Sequence, residues 1–147
     1  MNTKTLLLLL LRFLGVVALS ALVGVLMPTS WMVVTHRWMG LGEMSTHPVV
    51  EYLARSLSAF HVFLGALCLV LASNVERYLS LIGFLGVVFF FLGVTFTGIC
   101  LATGMPWWWT ALEGPHELLV GAAMFLLARA IKQGRNRPKE KECSLAP

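Results

Sequence analysis

The stretch "TLLLLLLRFLGVVALSALVGVLM", residues 5–27, decides the fold class of this chain. Its one charged residue is Arg12, and Pro28 follows its last residue. An α-helix needs about 17 to 25 mostly apolar residues to cross the hydrocarbon core of a bilayer, and this stretch has that length and composition. The whole chain of 147 residues is 58% hydrophobic, with a mean hydropathy of +0.81. The sequence therefore predicts an integral membrane protein.

Three further apolar runs complete the predicted architecture. We expect transmembrane helices over residues 5–27, 48–73, 78–101 and 115–132. Residues 1–132 then form one all-α domain, a polytopic membrane protein whose four transmembrane helices pack as a bundle. Residues 133–147 are polar and basic and have no apolar period, which predicts a disordered cytoplasmic tail.

The first run also has features of a secretory signal peptide, because "ALSA" at residues 18–21 resembles a cleavage site. However, Arg12 interrupts its leucines, and the run is longer than the apolar core of such peptides. We therefore expect the run to be retained as the first span, with Arg12 extending its charge to the lipid headgroups.

The positive charges predict the orientation of the spans. Lys and Arg lie near the amino end, at Arg77 and from residue 129 onward, whereas Arg37 and Arg55 fall on the opposite side. By the positive-inside rule, both termini are cytoplasmic and residues 28–47 form an extracytoplasmic loop of a cell inner-membrane protein. Six of the eleven Lys and Arg residues lie from residue 129 onward, beside a membrane segment, which suits anionic lipid rather than nucleic acid.

The first extracytoplasmic loop contains a further short helix. In "TSWMVVTHRWMG", residues 29–40, Ser30 is placed to cap a helix start and Gly40 to end it. After Thr29 and Ser30, the segment is apolar except for three neighbouring polar side chains, which are Thr35, His36 and Arg37. This pattern predicts an interfacial helix that lies over the bundle as a lid.

Small residues recur at helical spacing in the last three spans. Gly65 lies on such a stripe in the second span, Gly86 and Gly93 in the third, and Gly121 in the fourth. Because membrane helices associate through close contact of small residues, we expect these stripes to face other helices.

Five tryptophans lie near predicted span ends, where indole rings concentrate at the headgroup level. We interpret them as interfacial anchors, with a stacking wall for a ring-shaped ligand as the alternative for the triplet; they are Trp31, Trp38, Trp107, Trp108 and Trp109.

A few polar side chains inside or at the mouths of the spans are candidates for ligand binding, since such groups are costly in lipid. They are Arg55, Ser58, His61, His116 and Glu117. His61 is either a ligand-facing donor or a neutral imidazole bonded to a neighbouring helix. Glu117 either lies in a first helical turn that starts at Pro115, where the helix dipole favours a carboxylate, or pairs inward with Arg55 or His61. Together these groups predict a polar pocket on the extracytoplasmic side.

The residues give little sign of a bound cofactor. His61 and His116 lie at different depths, which disfavours haem, and a zinc set of His36, Glu43, His47 and His116 has no recognised spacing. The three cysteines form no metal motif, so no metal is expected. A nucleophile elbow, a phosphate loop and paired catalytic carboxylates are also absent, which argues against an enzyme with hydrolytic chemistry. A quinone stays open as a ligand.

The stretch "EYLARSLSAFHVFLGALCLVL", residues 51–71, is followed by the tight turn "SNVERY" and a glycine-bearing third span. In this part the chain resembles the small four-helix membrane proteins called DoxX-like, whose arginine and small-residue stripe are matched by Arg55, Ser58 and Gly65. The resemblance implies the fold and, from some members of that family, a link to quinone-coupled sulfur oxidation.

Three functions are consistent with these features. The leading hypothesis is a small inner-membrane accessory or binding protein with a polar pocket near the extracytoplasmic side. The alternatives are a quinone-interacting redox component of DoxX-like type and an oligomeric transporter or channel. The expected partners are the lipid bilayer and either further copies of the chain or a larger membrane complex.

Overall fold

The computed structural model describes residues 2–45 and 47–144, and the side chains among them up to residue 135. These residues form six helices and no strand, which confirms the predicted all-α fold class. In chain order the helices are α1 (Thr3–Leu19), α2 (Leu22–Leu26), α3 (Thr29–Trp38), α4 (Pro48–Ser73), α5 (Val75–Thr103) and α6 (Trp107–Ser144).

Four segments of the described chain are long and apolar enough to cross a membrane, as predicted. They are Thr3–Leu26, Pro48–Ser73, Val75–Thr103 and Trp107–Arg135. The first combines α1 and α2, which are separated at Ser20 and Ala21. The Ser20 hydroxyl donates to the carbonyl of Val17 at 2.6 Å, a local bond that competes with the backbone ladder and accounts for the interruption.

The chain divides into two compact units, which are residues 11–73 and residues 1–10 with 74–147. In the unit of residues 11–73, α1 and α4 touch at two glycines. A Cβ added to Gly65 would lie 2.8 Å from the carbonyl oxygen of Gly15 and 2.8 Å from the amide nitrogen of Leu19. The two backbones are therefore in direct contact, and the stripe of the second span is a helix-packing face.

In the other unit, α5 and α6 pack through glycines spaced seven residues apart on each helix. A Cβ on Gly86 would lie 2.8 Å from the carbonyl oxygen of Gly121, and one on Gly93 would lie 2.7 Å from that of Gly114. A seven-residue spacing keeps one face of each helix against its partner over several turns. The predicted stripes of the third and fourth spans therefore face each other.

The hairpin between α5 and α6 ends the first helix with a left-handed glycine. Gly104 has φ of 68°, and the amide of Met105 donates to the carbonyl of Cys100 at 3.0 Å. This bond satisfies a carbonyl at the helix end and allows α6 to begin three residues after Gly104.

The start and the end of the last helix differ from the prediction. Helix α6 begins at Trp107 rather than at Pro115, so Gly114 and Pro115 lie inside it. If the helix began only at Pro115, the backbone groups before it would lack hydrogen-bond partners in lipid. Because this would cost more than one proline within the helix, membrane helices often continue through a proline. Glu117 is therefore not in a first turn, and the dipole explanation for this carboxylate is wrong.

The segment 133–144, predicted as disordered, is helical and continues α6. Its Lys, Arg, Glu and Gln residues are good helix formers, and extending an existing helix needs no new nucleation. Residues 145–147 of the predicted tail lie outside the described part of the chain.

The loop helix α3 is present, but its start and its polar face differ from the prediction. Pro28 occupies the N-cap position instead of Ser30, with the amide of Met32 donating to the Pro28 carbonyl at 3.2 Å. Gly40, with φ of 72°, follows the helix end as predicted. Trp31, Val34 and Trp38 are exposed at 64%, 65% and 85%, and Arg37 is exposed next to them, whereas Thr35 and His36 are half-buried.

Candidate functional site

Arg55 on α4 forms hydrogen bonds with the end of α2. Its Nη1 donates to the carbonyl of Val25, and its Nη2 donates to that of Met27 at 3.0 Å. Its Nε donates to the Glu51 carboxylate at 2.9 Å, one turn earlier on α4. A helix that stops at Pro28 leaves its last carbonyls without partners, and a cation at a helix C-terminus both bonds and neutralises them.

The Glu51 carboxylate links a third element to this contact. Besides Arg55, it accepts a bond of 2.9 Å from the hydroxyl of Thr29, the first residue of α3. Glu51 and Arg55 therefore fix where α2 ends and α3 begins. We call Val25, Met27, Thr29, Glu51 and Arg55 the arginine corner.

Ser58 and His61, the next polar residues of α4, serve local contacts. The Ser58 hydroxyl lies against Gly24 of α2, 2.6 Å from the position that a Cβ on this glycine would take. The Nδ1 of His61 lies 2.8 Å from the carbonyl of Leu57, one turn earlier on the same helix. Because a carbonyl only accepts, Nδ1 is the donor in this contact.

A cavity of about 360 Å³ adjoins the arginine corner. It lies among α3, the loop after it and the start of α4, and four of its lining residues are methionines. The lining residues are Met27, Met32, Thr35, His36, Met39, Met44, Val50 and Ala54. Met27 belongs to both structures, so the corner that ends α2 also bounds the cavity.

The loop after α3 forms part of the cavity wall and is held by two polar contacts. The Nδ1 of His36 lies 3.1 Å from the carbonyl of Gly42, whose φ of 85° turns the chain back toward the helix. Next to it, Arg37 and Glu43 form an exposed ion pair of 2.8 Å. The hydrogen bond and charge of Arg37 lower the pKa of the Glu43 carboxyl and raise that of the guanidinium.

His116 and Glu117 lie on α6, in the unit of residues 1–10 and 74–147. His116 is exposed and Glu117 is half-buried. The other three predicted site residues, Arg55, Ser58 and His61, belong to the unit of residues 11–73. A shared pocket of all five residues stays a prediction.

Glu113 is a polar residue of α6 that the sequence pattern did not single out. Its carboxylate accepts a bond from the indole Nε1 of Trp109 and lies 3.8 Å from the Sγ of Cys100 on α5. Trp109 and Glu113 are one helical turn apart, but this relation is visible only if the helix starts before Pro115. Trp109 is therefore held by Glu113, whereas Trp107 is 81% exposed, as an interfacial anchor would be.

Comparison with known protein families, with curated protein sequences and with solved structures gives no match for this chain. The likeness to DoxX-like proteins therefore stays a prediction from the sequence. Among the described residues, no group of three or more His, Cys, Asp or Glu side chains is placed to hold a metal ion. The candidate site is therefore the cavity beside the arginine corner. What it can bind has to be inferred from the residues that line it.

Proposed function

We propose that this chain is a multi-pass membrane binding protein whose ligand occupies the cavity under α3, on the extracytoplasmic side. It would act as an accessory protein that holds or presents this ligand, without chemistry of its own. The observation that carries the proposal is the cavity of about 360 Å³ beside the arginine corner. Its size falls within the roughly 300 to 1,000 Å³ of small-ligand sites.

The arginine corner supports this proposal because it explains why the cavity is held open. Arg55 and Glu51 fix the point where the chain leaves α2 and enters α3, so α3 cannot simply settle onto α4. Polar contacts thus fix the position of the cavity wall beside its mostly apolar lining. In a partly buried place such contacts are costly to break, which favours a preformed site.

Charge placement supports the orientation. Lys4 forms an ion pair with Glu76, the neighbour of Arg77, so the amino end and the start of α5 lie together within their unit. The positive-inside rule gives this side to the cytoplasm and puts the loop after α3 outside.

The two alternative functions stay predictions without an observation of their own. Both donors predicted for a quinone, Arg55 and His61, already donate to backbone carbonyls, and neither lines the cavity. A transporter or channel requires a further copy or partner chain.

A cavity-filling substitution tests the binding function. Ala54 lines the cavity, whereas its neighbour Leu53 is exposed on the outer face of α4. We expect native mass spectrometry of the chain in mild detergent to show a bound mass in the wild type and in Leu53→Phe. The same mass should be lost in Ala54→Phe. A bound mass that survives in Ala54→Phe, or its absence from the wild type, would contradict the proposal.

Cysteine labelling tests the orientation. In a Cys143→Ser background, Glu43→Cys places a thiol in the exposed loop, while Cys68 and Cys100 are buried. A membrane-impermeant maleimide should label Glu43→Cys in intact cells and should label Cys143 of the wild type only after lysis. Labelling in the reverse pattern would put the cavity on the cytoplasmic side.

A further inference from the structure

Methionines are concentrated at the cavity. Four of the seven methionines of the chain line it, from the end of α2, from α3 and from the loop; they are Met27, Met32, Met39 and Met44. A methionine side chain fills irregular space, but its thioether is also a soft ligand that favours Cu(I) over the harder biological cations.

One face of α3 carries three of the cavity residues in helical register. Met32, His36 and Met39 follow each other at i, i+4 and i+7, a spacing that places side chains on one face of a helix. The opposite face carries the exposed tryptophans described above. The helix thus turns its sulfur and imidazole groups toward the cavity and its indoles away from it.

The hydrogen bond of His36 leaves one nitrogen of its ring available to a metal ion. Its Nδ1 donates to the carbonyl of Gly42, so the neutral ring keeps an unprotonated Nε2. Metal-binding histidines commonly have this arrangement, in which a bond from one ring nitrogen to a carbonyl fixes the tautomer and the ring orientation. His61, in contrast, has the same tautomer on α4 but does not line the cavity.

The lack of negative charge in the described lining indicates which kind of metal ion the cavity favours. The lining residues that the structure describes include no carboxylate, and the two acidic groups of the neighbouring segments, Glu43 and Glu51, are paired with Arg37 and Arg55. Calcium and magnesium require several oxygen ligands, and zinc sites are built from thiolate, imidazole and carboxylate. Neutral thioethers with one imidazole suit a monovalent soft cation, whose single charge needs no carboxylate to balance it.

We propose that the cavity under α3 binds a monovalent soft metal ion, Cu(I), through thioether sulfurs of its methionines and the Nε2 of His36. This inference rests on the proposed binding function and names its ligand. The sequence predicts no metal because methionine does not belong to the usual zinc and haem patterns. Helical spacing places Met32 and Met39 beside His36, and the folded chain on either side of α3 adds Met27 and Met44.

A metal titration tests the proposal. The probes are Ag(I), which does not change oxidation state, and Cu(I) supplied under anaerobic conditions as its coloured bicinchoninate complex. The Cys143→Ser variant of the full chain in mild detergent removes the thiol nearest the chain end, and Cys68 and Cys100 are only 1% and 5% exposed. We expect one ion to bind per chain with either probe.

Variants separate the cavity from other sulfur atoms. Met32→Leu with Met39→Leu should weaken binding by at least about tenfold, the loss typical of removing even an outer support of a metal site. His36→Ala should weaken binding similarly. Met105→Leu and Met124→Leu alter methionines that do not line the cavity and should leave the affinity unchanged. Exchange of Met for Leu conserves volume, so the methionine variants should fold.

X-ray absorption identifies the ligands directly. Protein in which selenomethionine replaces methionine should show copper–selenium scattering, and this signal should become weaker in the Met32→Leu, Met39→Leu variant, which keeps Met27 and Met44 in the cavity. A purely structural role of the methionines would give no such signal. Equal affinity of the cavity variant and the Met105 and Met124 controls, or the absence of copper–selenium scattering, would overturn the proposal.

The two proposals fail in different ways. If Ala54→Phe removes an organic bound mass while no metal binds, the cavity is a binding site and only the metal inference is wrong. If Ala54→Phe changes neither metal binding nor any bound mass, both proposals are wrong.

Discussion

Between α5 and α6, glycines face glycines and the backbones touch, whereas α4 is joined to the end of α2 by hydrogen bonds from the guanidinium of Arg55. Both pairs consist of mostly apolar helices. They differ because α5 and α6 are long helices in contact along several turns, whereas α2 ends just before Pro28. The carbonyl groups at its end have no partner within the helix. In lipid these groups need donors from elsewhere, and a polar side chain has to supply them. A helix that ends early thus creates both a polar contact and the space beside it.

The glycine contact is where a single methyl group should have the largest effect. A Cβ on Gly86 would lie 2.7 Å from the amide nitrogen of Phe125, so Gly86→Ala must push the two backbones apart. We expect a loss of about 3 kcal/mol in the free energy of unfolding, the upper part of the range for overpacking. Reversible unfolding in mixed detergent micelles measures this change.

Gly98 on the same helix is the matched control. A Cβ there meets nothing within 4 Å, so Gly98→Ala should be neutral or stabilising by up to about 1 kcal/mol. Equal effects at Gly86 and Gly98 would show that α5 and α6 do not depend on backbone contact.

Removing the guanidinium of Arg55 should break the other kind of contact. Arg55→Leu removes the donor of the Val25 and Met27 carbonyls and leaves the Glu51 carboxylate with the Thr29 hydroxyl as its donor. We expect the melting temperature to fall by several degrees, and protease cleavage in the loop after α3 to become faster. The effect should be smaller than that of Gly86→Ala because the side chain is 30% exposed and its charge is partly screened.

Arg37→Leu is the control for this substitution. Arg37 also pairs with a carboxylate, but both partners are largely exposed, so its loss should leave the melting temperature nearly unchanged. If the melting temperature fell equally in Arg37→Leu and Arg55→Leu, charge alone would stabilise this unit, and the hydrogen bonds of Arg55 to the carbonyls at the end of α2 would not.

The sequence predicts the apolar content of the helices better than their ends. Span composition and the stripes containing Gly65, Gly86 and Gly121 follow from residue types and periodicity alone. The start of α6 does not, because Pro115 is a typical first helical residue in water but is passed over in a membrane helix.

The candidate site is predictable only in part. Arg55 stands out in the sequence because it is a charge within an apolar span. Its partners are carbonyls some 28 to 30 residues earlier in the chain. Every residue has a backbone carbonyl, so the sequence cannot show which ones Arg55 contacts. The cavity is similarly hidden, since Met27 and Met44 come next to Met32 and Met39 only when the loop folds back.

The α5–α6 unit also contains a polar contact, and it should contribute less than the arginine corner. Trp109→Phe removes the indole N–H that donates to Glu113 but keeps an aromatic ring. We expect a loss of about 1 kcal/mol in the free energy of unfolding, the usual net value of one hydrogen bond. Trp107→Phe changes an exposed ring and should have no effect, and equal losses for the two would contradict the assigned role of Glu113.

The smallest effect should come from the ion pair on the loop that borders the cavity. Arg37 holds the pKa of Glu43 below its ordinary value, chiefly through their hydrogen bond. A carboxyl whose pKa is lowered on folding stabilises the fold above its unfolded pKa, and this contribution disappears as the pH falls through the folded value. Carboxyl chemical shifts of the labelled protein should therefore show Glu43 titrating lower in the wild type than in Arg37→Gln, and the difference should shrink at high salt. An unchanged titration would mean that the pair does not persist, and that the loop wall beside His36 is held by the Gly42 carbonyl alone.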